Sequence, residues 1–303
     1  MRVVVAGATG SVGRPLVRQL AADGHQVVGL TRNATSARAL EAAGSAAVVA
    51  DVLDRDGLLR ALDGTTADAV IHELTALTKA PMRAKDMEAT NRLRTTGTAH
   101  LLEAAEALGA KRFVVQSFFG GYGFRDHGTE PLPERAPFGE TTGGPADRVI
   151  AALRSAEEQV RASAAVAGVA LRYGFFYGAD GMPDMVRRRL IPVPNRGGLL
   201  PWIHHEDAAG AAVAALERGR AGGVYNIADD QPASWREVMT AMAGRLGARP
   251  PRVLPTWALR LGAPFTTRVV VDTTMVLSTA AARDELDWSP RYPSYREGLH
   301  TVS

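Results

Sequence analysis

A doubly wound parallel α/β sheet with a smaller C-terminal lobe is the fold this sequence predicts, and three observations predict it. The chain opens on a short apolar strand, Arg2 to Ala6, which runs directly into glycines at positions 7, 10 and 13 and then into a helix with Leu16, Val17 and Leu20 on its apolar face. Apolar runs of strand length then alternate with helical periodicity as far as residue 173, the pattern of parallel strands joined by right-handed helical crossovers. Beyond that point the alternation fades into proline-rich pieces over Met182–Pro201 and Pro250–Pro264, which predicts a second lobe of less regular structure.

In chain order, a second strand is expected at Val27–Thr31 with a helix at Ala34–Ala43, and a third strand at Ala46–Ala50 with a helix at Arg55–Leu62. Ala69–Ile71 is short and wholly apolar, as strands buried on both faces are. A long helix follows through Met82–Leu108, then a fifth strand at Phe113–Ser117. The polar segment Gly120–Pro145 is rich in glycine and proline, and a structureless segment of that length is expected to be a lid or binding loop. A helix at Ala146–Ala165 leads to a sixth strand at Val169–Tyr173, and a helix near His205–Glu217 and a strand at Val224–Ile227 follow. Residues 1–173 thus form a dinucleotide-binding domain to which 205–228 return, while 174–204 and 229–303 form the smaller substrate-binding lobe.

The glycine turn carries the first functional inference. Gly7, Gly10 and Gly13 follow a strand and open a helix, so backbone N–H groups and the positive end of the helix converge on one point, which suits a pyrophosphate. Thr9, Ser11 and Val12 complete the contact set. In such folds the end of the second strand faces the adenine ribose, where a carboxylate selects NAD and an arginine selects NADP. Here the strand ends in Thr31-Arg32-Asn33 with no carboxylate, so Arg32 favours NADPH. Asp51 and Val52, after the third strand, are placed to contact adenine, although an aspartate there equally suits a helix cap.

Composition narrows the partners. A net charge of +3 on 303 residues gives no nucleic-acid footprint. No apolar run approaches the roughly 20 residues needed to cross a bilayer, and no leader precedes the first strand, so a cytoplasmic protein is expected. Cysteine is absent, which removes disulfides, thiolate metal sites and thiol nucleophiles. His204-His205-Glu206-Asp207 invites a metal reading, but adjacent histidines at a helix start diverge; helix capping is the expected role and no metal site is expected.

The segments AGATGSVG, DVLD, AVIHELTAL, GTAHLLEAA, FVVQSFFGGYG, LRYGFFYG, WIHHEDAA and STAAARDELDWSPRYPSYREGL occur in an order that resembles the extended short-chain dehydrogenase/reductases of the NAD-dependent epimerase/dehydratase type. The resemblance implies a Rossmann-type fold, a homodimer paired through the long helix, and further cofactor contacts at Leu74, Gln116, Arg154, Tyr173, Gly174 and Phe175. It also implies a Ser/Thr, Tyr and Lys triad with the last two spaced Tyr-x-x-x-Lys. The chain contains no such pair, and its only lysines are Lys79, Lys85 and Lys111. Aligned on the family pattern, Phe119, Ile150 and Arg154 stand at the three catalytic positions.

Three functions follow from that departure. In the first, hydride is transferred while the carbonyl is activated by water, by the substrate itself, or by a displaced donor among Ser117, Thr75, Tyr122 and His204, with Ser117 and Tyr122 as the candidates carried forward. The second is a catalytically silent NADP-binding redox sensor; the third is a sugar-nucleotide epimerase or dehydratase with displaced catalytic groups. Aromatic side chains favour the first. Ten of them, Phe118, Phe119, Tyr122, Phe124, Phe138, Tyr173, Phe175, Phe176, Tyr177 and Trp202, follow the fifth and sixth strands, where the crevice of an open parallel sheet lies. An apolar polycyclic aromatic ketone is the expected substrate, and a phenol beside its carbonyl would supply the hydrogen bond the protein lacks. Tyrosine-lacking ketoreductases that tailor aromatic polyketides such as angucyclinones are the relatives this reading resembles.

Overall fold

The computed structural model describes residues 1–77, 80–179 and 181–302. Seven parallel strands form the central sheet. They are β1 (Arg2–Ala6), β2 (Gln26–Thr31), β3 (Ala46–Val49), β4 (Ala69–His72), β5 (Arg112–Phe118), β6 (Ala167–Tyr173) and a last strand, Gly223–Ile227. Their spatial order is β3-β2-β1-β4-β5-β6 followed by Gly223–Ile227. Ala6 pairs with Leu30 of β2 on one side and with His72 of β4 on the other. The winding direction therefore reverses at the carboxyl end of β1, where ligands of open α/β sheets bind.

Alternation along β1 shows why both faces are covered. Val3 and Val5 pack with Leu16 and Leu20 of α1 (Gly13–Ala22), with Leu40 of α2 (Ala34–Ala42) and with the alanine-rich helix His205–Arg218. Val4 and Ala6 face the other way, toward Leu58, Leu62 and Leu101, as the two-residue period of a strand requires. Leu58 and Leu62 lie on α3 (Arg55–Leu62); α4 (Glu88–Arg92) then leads toward α5 (Thr98–Ala107), which carries Leu101. A second core gathers Phe119, Tyr122 and Phe124 with Val149 and Leu153 of α6 (Asp147–Ala162), Trp202, Trp235, Met239, Phe265 and Tyr295.

Two expectations are corrected. The long helix runs from Ala84 to Ala107 but changes winding: a 3-10 turn over Ala84–Met87, then α4, then a π segment at Leu93–Gly97, then α5. Side chains of neighbouring elements reach carbonyls of the π turn that also accept from Thr98 N–H. His72 Nε2 lies 3.3 Å from the Leu93 carbonyl, and Gln159 Nε2 donates to the Thr95 carbonyl at 3.2 Å. The segment after β5 is no free lid. Arg172 on β6 donates to the Glu134 carbonyl at 3.1 Å, and its guanidinium lies 4.7 Å from the rings of both Tyr122 and Phe138. Asn226 fixes the same stretch, its N–H donating to Glu134 Oε1 at 2.9 Å and its Nδ2 to the Leu132 carbonyl at 3.0 Å. Leu132 N–H in turn donates to the Val276 carbonyl at 2.8 Å. The polar composition that suggested a lid serves instead to satisfy backbone groups across the strap. Among the described residues no helix is long and apolar enough to cross a membrane.

Candidate active-site crevice

The glycine turn is built by exclusion of side chains. Gly7 adopts φ +98°, and a Cβ there would lie 2.8 Å from the Glu73 carbonyl group. A Cβ on Gly13 would lie 1.9 Å from the Gly7 carbonyl oxygen, so α1 can start only on a glycine. Gly10 N–H closes the turn onto that same oxygen at 2.9 Å. The residue before α1 is Val12, whose side chain cannot cap, and the first turn holds no acidic side chain. Arg14 N–H closes onto the Gly10 carbonyl at 3.0 Å and Pro15 has no N–H, so the donors left to face a ligand are those of Val12 and Gly13. Arg14 adds a positive group, its Nη1 donating to the Thr9 carbonyl at 3.2 Å, and Thr9 and Ser11 lie half-buried between them. This cradle fits the pyrophosphate of a dinucleotide.

At the adenosine end, Arg32 is exposed beyond β2. Asn33 beside it is committed to capping α2, accepting from Ser36 N–H at 2.8 Å. Asp51 is exposed and accepts from Leu53 N–H at 2.9 Å, whereas the cap of α3 is Asp54. Val52 is buried, its carbonyl accepts from His100 Nδ1 at 2.8 Å, and Gly97 approaches it so closely that a Cβ would lie 3.3 Å from Val52 Cγ1.

The candidate proton donors are held elsewhere. Ser117 is fully buried and donates to Glu157 Oε1 at 2.6 Å. Glu157 also receives Arg172 Nε at 2.9 Å and Nη2 at 2.7 Å. Ser117 is therefore part of a buried ion-pair network. Tyr122 is 1 % exposed and donates to Asn226 Oδ1 at 2.7 Å, and burial pushes its phenol up. His204 caps the helix that follows it, with Nδ1 accepting from Glu206 N–H at 3.2 Å and Nε2 3.0 Å from Thr301 Oγ1. Only Thr75 is exposed, and an aliphatic hydroxyl in contact with water adds no acidity beyond that of the water. At the aligned catalytic positions Phe119 and Ile150 are core residues. Arg154 lies 5.4 Å over the Phe138 ring and donates to the Gly139 carbonyl at 3.2 Å.

The expected cofactor contacts divide. Leu74 is half-buried after β4, and Phe175 is half-buried after β6. Gln116 is buried at 9 % exposure on β5. Tyr173 is corrected: it is fully buried and its hydroxyl reaches Glu73 Oε1 at 3.0 Å and the Ala208 carbonyl at 3.3 Å, so its side chain supports the turn from behind. Gly174 lies against Pro201, whose carbonyl oxygen a Cβ would approach to 2.9 Å.

Burial favours the uncharged forms of the histidines and of Glu73. Burial lowers His72 to about 4 and, helped by its neighbours, His204 and His205 to about 4 as well. Glu73 is pushed up to about 8 by burial, and its Oε2 has no partner among the described residues. Arg94, on the π segment, is buried and has an unpartnered Nη1. Sequence reasoning passed over Arg94, yet a signal exists: it continues the buried stripe Thr98, Leu101, Ala105, Leu108 backward by one turn.

The aromatic wall is smaller than expected. Phe119, Tyr122, Phe124, Tyr173, Tyr177 and Trp202 are core residues. Phe176 stacks on His205 and Phe138 is covered by Arg154 and Arg172. Phe118 and Phe175 remain, ring centroids 5.8 Å apart, at the carboxyl ends of β5 and β6. Phe175 rests on Trp202 and Trp235, each at 5.3 Å.

Comparison with known proteins agrees with this architecture. The NAD dependent epimerase/dehydratase family matches residues 3–228. A 3-diazoavenalumate denitrifying reductase from a Streptomyces species is 41% identical over 311 residues, covering 99% of both chains. A 4-hydroxy-2-methyl-3-oxo-4-farnesyl-3,4-dihydroquinoline-1-oxide ketoreductase from Stigmatella aurantiaca is 29% identical, over 82% of this chain and 74% of its own. Among solved structures, UDP-glucose 4-epimerase of Thermotoga maritima superposes with a TM-score of 0.79 at 20% identity, covering 99% of this chain and 97% of its own. The UDP-glucose 4-epimerase of Thermus thermophilus in complex with NAD gives 0.77 at 24% identity, covering 99% and 98%. These two establish the fold.

Proposed function

The chain belongs to the NAD dependent epimerase/dehydratase family, and from that premise we propose that it is an NADPH-dependent reductase of an aromatic small molecule whose reduction takes no proton from a protein side chain. The observation that carries the proposal is the commitment of the Ser117 and Tyr122 hydroxyls to Glu157 and Asn226, beside apolar Phe119 and Ile150. The glycine turn and the first turn of α1 would hold the pyrophosphate, and exposed Arg32 the 2′-phosphate. Bound there, the reduced nicotinamide supplies a hydride. Phe118 and Phe175 offer an edge-to-face apolar wall against which a flat ring packs.

Two acceptor groups need no protein acid. One is an aryl ketone flanked by its own phenol, whose hydrogen bond stabilises the developing alkoxide; the carbon takes the hydride and the oxygen a proton relayed from solvent. The other is an aryl diazo group beside a phenolate oxygen. There one hydride and one solvent proton are taken up, dinitrogen leaves, a C–N bond becomes C–H and the oxygen becomes a phenol. The 41% identical relative, named for a denitrifying reduction of a diazo compound, favours the second. The test is NADPH oxidation, followed by absorbance, with 3-diazo-4-hydroxycinnamate and with an ortho-hydroxyaryl ketone. Turnover of the diazo compound with release of dinitrogen is expected. Turnover of the ketone alone assigns the first acceptor, and oxidation with neither substrate would refute the reductase reading in favour of a silent NADPH-binding protein.

A further inference from the structure

Seven buried side-chain polar atoms lack a hydrogen-bond partner among the described residues, and four of them, on Glu73, Asn91, Arg94 and Thr98, lie on two segments that pack together at the carboxyl edge of the sheet. The two segments are the exit of β4 and the helix containing the π turn. They are joined by His72 against the Leu93 carbonyl and by Ala76 N–H donating to Thr90 Oγ1 at 3.1 Å. Arg94 is the strongest of the four. It is 6 % exposed, its Nη1 has no acceptor, and burial alone moves its pKa, down to about 10. No acid contributes to that shift, and Glu157 and Glu73 are engaged elsewhere, by Arg172 and Ser117 and by Tyr173.

A buried guanidinium without a carboxylate is costly to a fold. The helix nevertheless holds it firmly, because the π turn is clamped by His72 from β4 and by Gln159 from α6. π turns of this kind recur at functional sites. His72, within electrostatic reach of Arg94, pairs in register with Ala6, the residue before the glycine turn. Arg94 is thereby coupled to the β4 strand end that flanks the point where the winding reverses, whereas Arg32 follows β2 on the other side of β1.

We infer that Arg94 is the receptor for an anionic oxygen of the aromatic substrate, a carboxylate or a phenolate, and so sets substrate specificity. This rests on the reading of the crevice as an aromatic reductase site. A planar fork of N–H donors, released from water by burial, selects such an oxygen over a neutral one. Asn91, three residues earlier on the same helical run, has a buried amide oxygen without a partner among the described residues, and in this reading it orients the ring substituent.

The test uses binding rather than turnover, so that it stands or falls separately from the reductase reading. Tryptophan fluorescence would follow titration of the full-length protein, with NADPH present, by 4-hydroxycinnamate, its methyl ester and 4-methoxycinnamate. Arg94→Met is expected to weaken binding of the anionic probe about ten- to hundred-fold, the range of a charge-assisted contact. Its NADPH affinity should not change, and its melting temperature should rise because an unpaired buried charge is gone. Arg94→Lys, which keeps charge but loses the fork, should fall between. An effect shared by both free acids and absent from the ester identifies a carboxylate; an effect retained by the ester and lost with the methoxy compound, stronger above the phenol pKa, identifies a phenolate. Equal binding of all three probes to wild type and Arg94→Met would overturn the assignment. So would a loss of NADPH affinity in Arg94→Met with probe binding intact, which would give the guanidinium to the cofactor. If the probes bind in an Arg94-dependent way and nothing is reduced, the reductase reading falls and the receptor stands.

Discussion

Replacing Glu73 with glutamine will stabilise the fold at neutral and mildly alkaline pH. The carboxyl is 7 % exposed, and the one hydroxyl near it, on Tyr173, lies within reach of two acceptors, Glu73 Oε1 at 3.0 Å and the Ala208 carbonyl at 3.3 Å. Tyr173 has a single proton to give. A protonated Glu73 resolves the contest by donating to the tyrosine oxygen while the tyrosine donates to Ala208, and a glutamine amide does the same. Burial raises the carboxyl from 4.5 to about 8. The folded state therefore binds more protons than the unfolded state between those values. Stability is fully present below about pH 4.5, falls as pH rises, and levels off once pH passes about 8. At about pH 7.5 the cost of holding the proton is 1.36 kcal/mol for each of roughly three units, up to about 4 kcal/mol. Glu73→Gln removes that cost. In urea unfolding midpoints measured from about pH 5 to pH 9, the variant's advantage over wild type should grow with pH and shrink toward the acid end, because the lowered histidines His72, His204 and His205 act equally on both proteins. Parallel profiles would refute the reasoning and show that Glu73 ionises freely in the fold.

Four other outcomes are expected. Arg32→Asp should weaken NADPH about ten- to hundred-fold and leave NADH little changed, read by parallel fluorescence titrations; equal loss for both would remove Arg32 from the 2′-phosphate. Gly13→Ala would set a Cβ 1.9 Å from the Gly7 carbonyl oxygen, so cofactor binding should be lost, and an unchanged affinity would take the turn out of the site. Ser117→Ala leaves the Arg172–Glu157 pair at 2.7 Å intact and should cost about 1 kcal/mol of stability with turnover preserved; abolished turnover in a folded variant would restore Ser117 as the proton donor. Phe175→Ala should raise the KM for an aromatic substrate more than it lowers kcat, and the opposite split would place the ring in the chemical step rather than in binding.

The sheet was legible because burial on both faces leaves a simple trace: β4 reads Ala-Val-Ile-His and every one of its residues is buried. The glycine turn was legible because its geometry tolerates no Cβ at Gly7 or Gly13. The chemistry of the wall was harder to read. Ser117 and Tyr122 look like free hydroxyls in one dimension, and only the fold brings Glu157 and Asn226 against them from 40 and 104 residues away. The aromatic series misled for the same reason, since core rings and cleft rings share one composition. Arg94 continues a buried helical stripe, yet an arginine in a helix reads as a solvated side chain and only the fold shows it buried.

The anchoring of the segment after β5 has a thermodynamic consequence. Arg172 grips it through the Glu134 carbonyl and the Phe138 ring, Asn226 through Glu134 and Leu132, and Gly139 N–H closes onto the Gly121 carbonyl at 2.8 Å. A segment already fixed at so many points has little conformational entropy left to lose when a ligand arrives. Association with the crevice is then governed by diffusion and desolvation rather than by a closing motion. The ordering cost has been met once, during folding, by the buried Arg172–Glu157 pair and the hydrogen bonds of Asn226 and Gly139.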